Sequence, residues 1–199
     1  MKAFISLTSF ALAFFSPFSS AILPNQSSNV DFSPFGLFAI SPRGFIPKIQ
    51  GTLQIASDAV VIGPAQGARD FTAKRRKYIY PLPKGEMKIS GGEDGRFFLD
   101  AGSHHPTPGY HTLKFGRTSS AQSSSHGFSI TNTGCGPHCG GPQLIHDAAD
   151  KGDGTPGNWL AYPLDGANGK SGYSIHWIPG GPFPEGHKLI YLMCKPVPQ

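Results

Sequence analysis

Helical periodicity is missing from this chain. No window holds apolar residues at i, i+3, i+4 and i+7 over several turns, and 26 Gly and 19 Pro recur often enough to break a helix before it grows. A helix bundle is thereby excluded. Charge is scarce as well, at 15% of residues, and the carboxylates are limited to Glu86, Glu93, Glu185 and nine Asp. Most of them stand in Gly-rich turns such as GGEDG and DKGDG, where they act as turn formers, so a glycosidase's carboxylate pair has no evident source. The chain has no G-x-S-x-G elbow, no H-E-x-x-H, no P-loop and no G-x-G-x-x-G after a strand. No metal or cofactor is expected.

Long apolar runs are also absent beyond the opening MKAFISLTSFALAFFSPFSSA. There a basic Lys2 precedes a short apolar stretch, and Ser19 and Ala21 supply the small residues of a signal-peptidase site. The sequence thus predicts a signal peptide over residues 1–21 and a single exported domain over 22–199, with no transmembrane segment. A sequon at Asn25 fits glycosylation. The net charge of +5 is mild, and KRRK at 74–77 contributes much of it.

Only three cysteines are present: Cys135, Cys139 and Cys194. In an oxidising compartment a disulfide is the ordinary fate of a pair, which leaves one thiol over. Gly136 and Pro137 allow a tight Cys135–Cys139 link. A bridge from either one to Cys194 closes a longer loop, which chain entropy favours, and the sequence reading leans towards it. A zinc site using Cys135, His138 and Cys139 is a weaker alternative, and the CxxxC spacing does not suit redox chemistry.

What the chain does have is short runs of Phe, Ile, Val, Leu and Tyr between turn signals. They fall at 35–40, 52–56, 60–62, 77–82, 86–90, 96–101, 111–115, 127–131, 143–147, 158–162, 172–178 and 188–193. About a dozen such strands predict an all-β fold, a single compact antiparallel barrel or sandwich. GFSI at 127 and GYSI at 172 hint at a β-trefoil's internal repeat. The segment 117–127, rich in Ser, reads as a surface loop.

Several residues invite a functional reading. Trp159, Tyr162, Tyr173 and Trp177 are candidates for stacking on sugar rings, although Trp159 and Trp177 lie in apolar strands where large aromatics more often fill the core. Lys74, Arg75, Arg76 and Lys77 form a solvated turn, a contact for a polyanion or a dibasic processing site. The segment around His104, His105 and His111 reads as a Pro-rich loop, because adjacent strand side chains point to opposite faces and make a poor metal cluster. As an enzyme alternative, Glu185, His187, His111 and Arg117 provide the acid, base and phosphate-binding types of a small basic ribonuclease.

From residue 30 onward, the succession FGLFAISPRGFIPKIQGTLQIASDAVVIG, MKISGGEDGRFFLDAG, GFSI, NWLAYPL, GYSIHWI and KLIYLMCKPV resembles fungal secreted cell-wall proteins of the phialide (phiA-like) type. It is also distantly similar to the C-terminal domain of yeast cell-wall proteins with internal repeats. Tyr162 stands where that family carries a cysteine. The resemblance implies an exported, wall-associated, non-catalytic protein of wall or spore-structure development, and cell-wall polysaccharide or wall proteins are the expected partners in preference to nucleic acid. A secreted glycan-binding effector is the alternative of the binding class.

Overall fold

The structure, a computed structural model, describes residues 35–63, 68–70, 79–82, 85–89, 94–101, 109–117, 123–131, 141–147, 157–164 and 171–196. These residues hold fourteen strands: β1 (Phe35–Ile40), β2 (Gln50–Ala56), β3 (Ala59–Ile62), β4 (Arg69–Asp70), β5 (Ile79–Leu82), β6 (Glu86–Ile89) and β7 (Arg96–Asp100) come first. They are followed by β8 (His111–Gly116), β9 (Ser123–Ser124), β10 (Phe128–Thr131), β11 (Gln143–His146), β12 (Asn158–Pro163), β13 (Tyr173–Ile178) and β14 (Lys188–Pro196). Each of the twelve runs expected from the sequence is a strand. The two additional ones, β4 and β9, have two residues each, and β9 lies in the Ser-rich segment read as a loop. No helix among the described residues is long and apolar enough to cross a membrane.

All pairings are antiparallel, and they form a sandwich whose two sheets share strands. In β2, residues 50–52 pair with β1, while Leu53 to Ala56 pair with β3 in the other sheet. In β14, Lys188 to Ile190 pair with β12, and Tyr191 to Pro196 pair with β1. Strands that pass from sheet to sheet make the corners of such a fold. At the β2 corner Gly51 lets the backbone close in, since a Cβ there would lie 3.0 Å from Ile62 Cγ2. The pairings run β1–β2–β3–β13–β12–β14 and return to β1. The trefoil hint is not expressed in this order. GFSI enters β10, which pairs with β11, whereas GYSI enters β13, which pairs with β12, β3 and β8.

Alternation puts the apolar set inside. Phe35, Leu37 and Ala39 of β1 face the core, and so do Ile175 and Trp177 of β13 and Ile190, Leu192 and Cys194 of β14. Burying one large side chain of this kind is worth about 1.5–3 kcal/mol. At the surface, Lys114 of β8 holds Asp100 at 3.0 Å and Asp58 of the β2–β3 turn at 3.2 Å. The hydrogen bond to Asp100 is the main reason its ammonium pKa is raised.

Candidate functional site

Among the described residues, strand β13 carries a cluster of aromatic and imidazole rings on each of its faces. Its sequence alternates Ser174, His176 and Ile178 with Ile175 and Trp177, so the polar pair and the apolar pair face opposite ways. Cross-strand register extends both rows. Outward lie Tyr162 and Leu160 of β12 and Thr112 of β8; inward lie Ala161, Trp159 and His111.

On the outer face, Ser174 Oγ donates to the Tyr162 carbonyl at 3.2 Å and lies 2.7 Å from His176 Nε2. With its hydrogen on that carbonyl, Ser174 accepts from Nε2–H of His176. The other ring nitrogen, Nδ1, then accepts from the Thr112 hydroxyl at 3.2 Å. Tyr110 stacks on the His176 ring at 4.7 Å. The Tyr110 hydroxyl lies 2.8 Å from His187 Nε2, and His187 Nδ1 donates to the Glu185 carbonyl at 3.1 Å. His187 Nε2 is therefore the acceptor and Tyr110 the donor. Burial first, and the neighbouring Tyr162 second, raise the Tyr110 pKa and keep its hydroxyl protonated.

These bonds fasten the turn at 184–187 to the sheet. Its backbone closes from His187 N to Pro184 O, and a Cβ at Gly186 would stand 3.0 Å from the Tyr162 ring. Gly186 also has φ +78, a conformation few other residues adopt. The half-buried Tyr162 ring lies 4.6 Å from the His187 ring, and Tyr110, Leu160 and Ile178 form a small apolar cluster beneath. Chemically this is a platform in which the half-buried Tyr162 and His187 rings lie over the buried Tyr110 and His176.

The inner face carries His146 of β11 and His111 against Trp177, with ring centroids at 4.7 and 5.6 Å. His146 Nε2 donates to the His126 carbonyl at 2.9 Å. Burial lowers the His146 pKa to about 4 and also lowers that of His111. The ring nitrogens His146 Nδ1 and His111 Nδ1, and the indole nitrogen of Trp177, are buried without hydrogen-bond partners. Trp159, by contrast, donates to the Leu144 carbonyl at 2.8 Å.

Among the stacking candidates, Trp159 and Trp177 are 4% and 1% exposed, so neither can meet a sugar. Tyr173 packs against the core, and Tyr162 alone belongs to the outer platform. The ribonuclease set is not assembled: His187 packs on the outer face, His111 faces inward, and Arg117 pairs with Asp94. The partners expected for Cys194, Cys135 and Cys139, lie outside the described residues. The Cys194 thiol is free and 3% exposed, because it stands in phase with Ile190 and Leu192 and points into the core. Cys135, Cys139, Asn25, Lys74, Arg75, Arg76, Lys77, His104, His105 and the signal peptide lie outside the described residues.

Tyr110, Thr112, Ser174 and His176 were not singled out by sequence reasoning. The polar positions of GYSIHWI mark one row of the platform. Thr112 comes from 64 residues before His176, and Tyr110 from 77 residues before His187, and neither leaves a local signal.

No family model matches the chain, and no curated protein matches it. Its fold is similar to part of the CARDS toxin. The nicked form matches at a TM-score of 0.52 and 9% identity, over 82% of this chain and 26% of the toxin. The full-length form matches at 0.52 and 7%, over 84% and 28%. The chain thus spans about a quarter of the toxin's length, and at such identity the likeness extends to the fold alone.

Proposed function

We propose that the chain is an exported, non-catalytic protein of the fungal cell wall that binds wall polysaccharide through the Tyr162 platform. The observation that carries this reading is the placement of Tyr162. Of the four aromatic residues with the chemistry to stack on sugar, it is the half-buried one that belongs to the framework of hydrogen-bonded rings around His176 and His187. A ring held in place loses little freedom on binding, and its polar neighbours can meet sugar hydroxyls. The separation of His111 on the inner face from His187 on the outer face supports binding over RNA cleavage.

Pull-down on insoluble chitin and on β-glucan tests the proposal, beside an RNA-cleavage assay. The protein is expected on at least one polymer, with Tyr162→Ala weakening retention about tenfold while leaving the melting temperature within a few degrees. RNA cleavage abolished by His187→Ala, with no retention on either polymer, would overturn it.

A further inference from the structure

The turn joining β1 to β2 presents the most exposed large apolar side chain among the described residues. Ile46 is 88% exposed and its neighbour Phe45 is 44% exposed. Single apolar residues at a surface are ordinary, but two together at the tip of a rigid turn call for a reason. This turn is rigid. Ser41 and Ile49 close its base, Ser41 N donating to Ile49 O at 2.8 Å and Ile49 N to Ser41 Oγ at 3.1 Å. Above them Phe45 N donates to Pro42 O at 3.3 Å, with Gly44 at φ +87 supplying the third position of a type II turn.

Two exposed cations, Arg43 and Lys48, flank the tip. Neither has an ion-pair partner among the described residues, and no Asp or Glu occurs between Asp31 and Asp58. The groove beside the tip, about 460 Å³, is lined by both cations together with Phe45, Ile40 and Tyr191, and by no carboxylate.

From this we infer that the 43–48 turn docks on an anionic phospholipid surface, with Phe45 and Ile46 entering the acyl boundary and Arg43 and Lys48 meeting the phosphates. Charge complementarity selects an anionic partner, and the net charge of +5 adds a long-range attraction. The aliphatic tip selects lipid over sugar. A sugar face stacks on a flat ring, whereas a branched Ile side chain gains most from hydrocarbon. The residues involved are different from those of the Tyr162 platform, so this inference stands apart from the polysaccharide reading.

Flotation of the secreted protein with two kinds of vesicle tests it, one of phosphatidylcholine alone and one with about a third phosphatidylserine. Co-flotation is expected with the anionic vesicles and not with the neutral ones. Replacing Phe45 and Ile46 together with Ser should weaken partitioning about tenfold or more at unchanged near-UV circular dichroism. Arg43→Ser with Lys48→Ser should remove the preference for anionic vesicles. Equal flotation with both compositions would overturn the inference, as would anionic binding that survives both double variants. So would binding lost on replacing Lys74, Arg75, Arg76 and Lys77 but kept without Arg43 and Lys48. A dimer in the absence of lipid that depends on Phe45 and Ile46 would assign the tip to a second copy of the chain instead.

Discussion

Acidification should destabilise the fold through His146. Its ring is 2% exposed, packed against Phe128 and Trp177, and its one hydrogen is committed to the His126 carbonyl through Nε2. Charging it would put a cation in the core with Nδ1–H facing no acceptor, so burial lowers the pKa from 6.5 to about 4. The unfolded chain keeps the ordinary value. Between those two pH values the unfolded state binds a proton that the native state refuses, so stability is full above pH 6.5, falls as the pH drops and levels off below about 4. The gap is equivalent to about 3 kcal/mol, a large share of a domain's usual margin. His111 adds to the same trend, since burial lowers its pKa as well. The test is urea unfolding of the parent and of His146→Gln, which keeps an N–H for the His126 carbonyl but does not titrate. Between about pH 7.5 and about pH 4, the parent should lose about 3 kcal/mol more than the variant. Equal losses would refute the assignment of a buried neutral imidazole.

Other outcomes follow from packing and processing. Gly157→Ala should cost about 1–3 kcal/mol and lower the melting temperature by several degrees, because a Cβ there would overlap the Ile178 carbonyl and the Trp177 indole. Burial pushes the Cys194 thiol up to about 12, so this cysteine should resist thiol reagents in the native protein and react once denaturant is added. With Cys194 free, non-reducing peptide mapping should find Cys135 joined to Cys139. Amino-terminal sequencing of protein secreted by a fungal host should begin at or near Ile22, and an intact Met1 would contradict export.

The strands were readable because short runs of Phe, Ile, Val, Leu and Tyr, some alternating and some continuous, stand between Gly, Pro and Asp breaks. The two missed strands, β4 and β9, are each two residues long, too short for a period to appear. Alternation within β14 accounts for Cys194, which keeps phase with Ile190 and Leu192. The platform was half readable. Residue type alone points to Tyr162 as a stacking ring and to His187 as an acid or base, yet Tyr110 and Thr112 join them only through the order in which strands pair. That order depends on long-range contacts, and a local window contains none.

The β1–β14 pair has a mechanical consequence. Phe35 stands opposite Pro196 and Ile40 opposite Tyr191, so the outer ends of the two strands emerge side by side. A load entering through residue 35 and leaving through residue 196 pulls across the rungs and not along them. The hydrogen bonds then meet the force one at a time, as in a zip, instead of sharing it as they would in shear. A protein tethered at both ends would open at this seam under modest tension, starting from Phe35 and Pro196. Held at one end only, it would carry no load there.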